Sequence, residues 1–94
     1  MKKEKVESLE QARAKIDELD ASLIDLIATR QFYVDQVIRF RRIKQDAATP
    51  RIEEVLARVR QQAEEKGVDP DMIESFYTEM IQHFLRRELK EIRP

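Results

Sequence analysis

Cysteine is absent from this 94-residue chain, and histidine and glycine occur once each. Without cysteine there can be no disulfide, no thiolate nucleophile and no thiolate metal site, and one histidine cannot build a multi-histidine metal centre. A single glycine and three prolines leave few positions for turns, which indicates helices joined by few loops. We therefore expect neither a metal centre nor redox chemistry.

Neither sign of charge is in excess, because 18 Lys and Arg oppose 19 Asp and Glu, a net charge of -1. This balance is untypical of nucleic-acid binders, so the short basic cluster at 39–44 is expected to bind neither nucleic acid nor membrane. No apolar run approaches the ~18 residues of a spanning helix, and no secretory signal pattern is present. The sequence favours one small cytoplasmic domain over residues 1–94, with a frayed N-terminus at 1–7.

A long first helix is predicted from Leu9 to about residue 45. Ser8 and Gln11 form a capping-box pattern at its start, and neither glycine nor proline interrupts it. Its apolar residues recur at three- and four-residue steps, which is typical of an amphipathic helix. About 35 residues at ~1.5 Å each span roughly 50 Å, more than two shorter helices of the same chain can cover. The uncovered part predicts an intertwined homodimer.

Two shorter helices follow a break in the apolar pattern. Thr49 is the expected cap and Pro50 the expected first residue of the second helix. That helix ends at Gly67, because glycine accepts the left-handed conformation that ends helices. Asp69 is placed to cap the third helix, with Pro70 in its first position. The sequence thus predicts an all-α chain with long, short and medium helices in that order.

Three charged residues fall on the apolar faces of these helices. At ~100° per residue, Arg30 lies about 20° from Leu23 and Arg41 about 20° from Arg30, while Glu88 lies about 20° from Ile81. One alternative is that each lies at the edge of its stripe with the charged end in water. Together, however, they outline a polar pocket for a small anion, since buried charges need partners and arginine binds carboxylates through two parallel hydrogen bonds.

Arg13 precedes Arg30 by 17 residues. On one rigid helix that spacing is about 25 Å, so the two guanidinium groups cannot meet in one chain. An antiparallel partner helix would bring Arg13 of the partner subunit beside Arg30. The alternative is that Arg13 is a solvated arginine of the first helix.

One motif runs through the first helix as L-E-Q-A-R-A-K-I-D at residues 9–17, followed by Leu19-Asp20, Leu23-Ile24, Leu26-Ile27 and Arg30. With the spacings between Arg13, Arg30 and Arg41, residues 9–92 resemble the all-helical (type II) chorismate mutase family. The resemblance implies three helices in an entwined dimer, with two sites that each borrow an arginine from the other subunit. It also implies that a small dicarboxylate, chorismate, rearranges to prephenate without a cofactor.

The resemblance further implies a role for each matching residue. Arg13 resembles the arginine lent across the dimer, and Arg30 and Arg51 resemble arginines that bind substrate carboxylates. Arg41 stands where the family usually has a lysine at a carboxylate and at the ether oxygen of the breaking bond. Glu88 stands where a glutamine commonly donates to that oxygen. The implied apolar lining residues are Val37, Ile81 and Leu85.

Three departures from the family pattern leave the substrate open. Ile52 lines the site in place of a glutamate that contacts the ring hydroxyl of chorismate, Arg41 replaces lysine, and Glu88 replaces glutamine. Features closer to the isochorismate pyruvate lyase branch, which gives salicylate and pyruvate, are Ile52, Arg39-Phe40, residues 63–69 and Gln82-His83. Mutases of amino-deoxychorismate also remain possible. From another class, the chain could be a non-catalytic helical dimerisation or regulatory module.

Overall fold

The structure, a computed structural model, describes the backbone of residues 3–43 and 51–92 and the side chains of residues 3–40 and 51–87. It contains three helices, α1 (Leu9–Ile43), α2 (Ile52–Lys66) and α3 (Pro70–Ile92). The predicted all-α class and the order long, short, medium are confirmed. None of the helices in these ranges is long and apolar enough to cross a membrane. The chain divides into two compact units, Met1–Asp35 and Gln36–Pro94.

The start of α1 is fixed by the predicted capping box. The Ser8 Oγ accepts a hydrogen bond of 3.1 Å from the backbone N–H of Gln11. In return, the Gln11 Oε1 accepts one of 2.8 Å from the N–H of Glu7, one residue before the expected Ser8. Two N–H groups at this helix end are thereby satisfied, so α1 begins at Leu9.

The first unit has no buried side chain among its described residues, 3–35. Its helix repeats apolar residues at three- and four-residue steps, but they face solvent in the single chain. The exposed large apolar residues of this part of α1 are Leu9, Ile16, Leu19, Leu23, Ile24, Leu26, Phe32 and Tyr33. A helix with so much uncovered apolar surface requires packing that these residues of one chain do not provide.

The second unit holds the buried core. Within the described side chains, the buried hydrophobic residues are Ile38, Val55, Val59, Ala63 and Phe84. Three of them recur every four residues on α2, which places them on one face of that helix. This face packs against α3, and the two helices form a hairpin.

The hairpin turn is set by Gly67, whose φ of 74° is in the left-handed region, as predicted. Its N–H donates to the Glu64 carbonyl at 3.2 Å, and the Val68 N–H donates to the Ala63 carbonyl at 2.8 Å. These two bonds satisfy carbonyls that α2 leaves unpaired at its C-terminal end. The sharp turn that follows lets α3 run back along α2.

The start of α3 also follows the prediction. The Asp69 Oδ1 accepts a hydrogen bond of 2.9 Å from the Asp71 N–H, and Pro70 is the first helical residue. The start of α2 differs, because it begins at Ile52 with a non-helical Arg51 before it. Thr49 and Pro50, the expected cap and first residue, lie outside the described residues.

Candidate functional site

The two arginines of the first unit lie in different environments on one helix. Arg30 is half-buried, although its helix carries no fully buried side chain within residues 9–35, whereas Arg13 is exposed. Their 17-residue separation on a continuous stretch of α1 corresponds to about 25 Å. The structure therefore keeps Arg13 and Arg30 of the same chain apart, as the spacing predicted.

Arg51 and Ile52 lie at the N-terminal end of α2. The Arg51 Nη1 is 3.7 Å from the Glu54 Oε1, and both side chains are exposed. An exposed ion pair of this kind contributes little to stability, so the guanidinium can exchange its carboxylate partner at low cost. Ile52 is half-buried and places an apolar side chain directly beside this cation in the sequence.

Ile81 and Leu85 are half-buried on α3, one turn apart, on either side of the buried Phe84. The four-residue spacing puts them on the same helix face. Glu88 continues α3 three residues later, so its backbone lies one turn beyond Leu85. The Glu88 side chain lies outside the described residues, and its role remains a prediction.

An ion pair shows how α2 and α3 are aligned. The Arg60 Nη1 on α2 lies 2.9 Å from the Asp71 Oδ1 and 3.6 Å from the Glu74 Oε2 on α3. Since the helices run in opposite directions, going eight residues back along α2 corresponds to going eight residues forward along α3. Ile52 and Ile81, two of the predicted apolar lining residues, are therefore at about the same level of the hairpin.

Two further predicted residues lie in the last turns of α1, within the second unit. Val37 is about half exposed, while its neighbour Ile38 is among the most buried side chains. Arg41 lies on the helical backbone, and its side chain is outside the described residues. The chain thus presents Val37 on the surface of the second unit and buries the face next to it.

The chemistry of the predicted set is that of guanidinium groups beside apolar side chains. Within the described side chains, no group of three or more His, Cys, Asp or Glu residues could hold a metal ion. Arginine donates in a planar fork that matches carboxylates, and apolar neighbours strengthen such pairs by excluding water. These residue types suit a small carboxylate ligand.

Sequence reasoning missed the link from Arg60 to Asp71 and Glu74. Both acids are visible as the acidic opening of α3, but their partner is 11 and 14 residues away on another helix, and only the hairpin register identifies it. The Arg51–Glu54 pair has a local signal, since residues three apart on a helix are neighbours.

The sequence model of the chorismate mutase type II family matches residues 12–89, most of the chain. No curated protein matches the chain.

Proposed function

The chain belongs to the type II chorismate mutase family, and from this premise we propose that it converts chorismate to prephenate in a site shared by two subunits of an intertwined homodimer. The proposal rests on the part of α1 that lies in the first unit. There Arg30 is half-buried, while the large apolar side chains around it on the helix are exposed in the single chain. A second copy of the same helix would supply the missing cover and the missing arginine together.

The apolar cover favours pairing. Large apolar side chains such as Ile16, Leu19 and Leu23 are each worth ~1.5–3 kcal/mol when fully buried, and all three are exposed in the single chain. Their repetition along one helix gives a continuous face that an identical helix complements. Pairing of two α1 helices is therefore the arrangement we assign to the active protein.

The spacing of two arginines sets the direction of this pairing. Arg13 of the partner subunit reaches Arg30 if the two α1 helices run antiparallel and cross between residues 21 and 22. Two sites then form by symmetry, one on each side of the crossing. Each site takes Arg13 from one chain and Arg30, Arg41 and Arg51 from the other.

The proposed reaction needs orientation and charge stabilisation and no covalent intermediate. Arg13, Arg30 and Arg51 hold the two carboxylates of the substrate, which places the enolpyruvyl arm over the ring. The ether C–O bond then breaks as the new C–C bond forms within the same molecule, and negative charge grows on the ether oxygen. Arg41 and a protonated Glu88 donate hydrogen bonds to that oxygen and bind the transition state more strongly than the substrate.

Ile52 favours a second candidate, pyruvate elimination from isochorismate. This residue is half-buried and apolar at the start of α2, at the level of Ile81 on α3. It can donate or accept no hydrogen bond, so the site has no polar group at the position where the family pattern has a glutamate. The same arginines would hold isochorismate, because both substrates are dicarboxylates.

One assay separates the candidates. Loss of chorismate absorbance is followed on adding the protein, and the experiment is repeated with isochorismate while salicylate and pyruvate are measured. Prephenate formation supports the mutase, and salicylate with pyruvate supports the lyase. A correctly folded dimer that consumes neither substrate would identify a non-catalytic dimerisation module.

Variants of two adjacent arginines, Arg41 and Arg42, show whether the activity depends on the proposed site. Removing a hydrogen-bond donor to the developing charge costs about 10²–10³ in turnover, so Arg41→Ala should lose that much. Arg42→Ala removes an equal charge from the next position of α1, about 100° away on the helix, and should keep parental turnover. Parental turnover in Arg41→Ala would end the proposed role of Arg41.

A further inference from the structure

One face of the second unit combines apolar exposure with strong negative charge. Met72 and Phe76 lie one turn apart on α3, are 53% and 52% exposed, and continue the exposed Val68 of the hairpin turn. Asp69 and Glu79, both exposed, lie just before and after them in the sequence. These five residues are called the acidic α3 face below.

The charge around this face is far from balanced. Residues 64–79 contain six acidic residues and one lysine, a net charge of -5 in a chain whose total is -1. Asp71 and Glu74 are engaged by Arg60, whereas Glu79 has no ion pair among the described side chains. Methionine and aromatic residues are enriched in protein interfaces, and a charged surround selects the partner.

The same chain carries a segment of opposite charge. Residues 36–44 contain four basic residues and no acidic one. In this segment Phe40 is 58% exposed, and the Arg39 guanidinium carbon lies 6.0 Å from the centre of its ring. An aromatic ring and a cation are thus presented side by side on the surface.

Two apolar surfaces of a second copy could cover the acidic α3 face, and they differ in charge. Residues 9–35 of α1 have a net charge of -3, the same sign as this face, and their apolar side chains are already assigned to the α1 pairing. The segment around Arg39 and Phe40 would attract the acidic α3 face. We propose that the acidic α3 face of one copy docks on Arg39 and Phe40 of another, which links the proposed dimers into larger assemblies.

This contact differs from the α1 pairing in two physical respects. It joins two different surfaces, so each copy keeps one free surface of each kind and the assembly can grow. It also involves only a few residues on each side, which places it in the class of small, weak interfaces that need high protein concentration. Its attraction is largely between exposed charges and is therefore sensitive to salt.

Sedimentation velocity of the full-length chain tests the proposal. At hundreds of micromolar protein and about 0.05 M NaCl, the average mass should exceed two chains of 11.2 kDa each. At about 0.5 M NaCl it should return to two chains. An average mass that never exceeds two chains at low salt would overturn the proposal.

Variants assign the contact to the named residues. Phe76→Ser and Arg39→Glu should each raise the dissociation constant of the larger assembly at least about tenfold. Arg39→Glu combined with Glu79→Lys in one chain should regain assembly, because the charges are exchanged rather than lost. Val6→Ser, which removes an exposed apolar side chain that lies before α1 and outside both surfaces, is the matched control and should assemble like the parent.

The outcome is separable from that of the proposed function. Phe76→Ser should keep both the dimer and its turnover, since no residue of the acidic α3 face is placed in the substrate site. If Phe76→Ser gave single chains, the face would belong to the dimer contact itself and the docking proposal would be wrong. If Arg39→Glu left the larger assembly unchanged, Arg39 would be excluded as a partner of the acidic α3 face.

Discussion

Arg60 on α2 donates a hydrogen bond of 2.9 Å from Nη1 to the Asp71 Oδ1, in the first turn of α3. This hydrogen bond is the main reason why the pKa of Arg60 is raised. Burial lowers that pKa, and the negative charge of Glu74 raises it further. The bond joins the two helices of the hairpin near their turn. It marks the register at which Ile52 is level with Ile81.

Removing this link should destabilise the hairpin. Arg60→Ala should lower the urea midpoint of unfolding, whereas Arg58→Ala, which removes an exposed arginine two residues earlier, should leave it unchanged. Because the pKa of Arg60 is raised, its contribution is lost only when the pH rises through that high value, so the difference should be constant between about pH 6 and 9. Equal midpoints in the two variants would contradict a structural role for the link.

Gly67 should be costly to replace for a purely backbone reason. A Cβ added at this position meets no atom within 4 Å, so Gly67→Ala creates no clash. Its φ of 74° remains unfavourable for alanine, and we expect a loss of about 1–2 kcal/mol in the free energy of unfolding. Gly67→Asn should lose less, since asparagine tolerates the left-handed region better. Chemical denaturation measures both, and an alanine variant as stable as the parent would refute this explanation.

The proposed antiparallel register of α1 can be tested by cross-linking, because the chain contains no cysteine. A crossing between residues 21 and 22 places Ile16 opposite Ile27 of the partner subunit. Within one chain these positions are 11 residues apart, about 16 Å, too far for a disulfide. The double variant Ile16→Cys/Ile27→Cys should therefore give a covalent dimer on a non-reducing gel, and each single variant should not. If the double variant ran as a monomer on the gel after oxidation, this register would be excluded.

Sharing of arginines between subunits predicts complementation of inactive variants. Arg13→Ala and Arg30→Ala should each be inactive alone. After subunit exchange in an equal mixture, half of the dimers are mixed and one of the two sites in each has both arginines, so about a quarter of parental activity should return. Mixing either variant with itself is the control. No recovery after verified exchange would show that Arg13 and Arg30 do not serve one site from two chains.

The proposed donor role of Glu88 predicts a pH dependence. Only the protonated carboxyl can donate to the ether oxygen, so turnover should fall as the pH rises and Glu88 ionises. Glu88→Gln keeps a donor at every pH and should remove this fall, while Glu91→Gln, three residues later on α3, should keep the parental profile. The pH–rate profiles of the three proteins provide the measurement, and coincident profiles for parent and Glu88→Gln would rule the role out.

Local sequence signals placed most helix ends correctly. Ser8 with Gln11, Gly67, and Asp69 with Pro70 act through atoms a few residues away, so their effect is encoded where they stand. The family resemblance, carried by the motif of the first helix, was likewise confirmed by the match over residues 12–89. The roles assigned to the arginines and to Glu88 are still predictions, because they depend on a second subunit and a substrate.

What the sequence by itself determined is therefore the three helices, the N-terminal caps of α1 and α3, the C-terminal cap of α2, and the family. Burial was decided only by the tertiary structure: Val37 is 49% exposed and Ile38 only 4%, although both belong to the apolar residues of α1. They lie about 100° apart on the helix, and which of them is covered depends on where neighbouring helices pack. The same holds for Arg60, whose partners on α3 are chosen by the register of two packed helices and by no local pattern of residues.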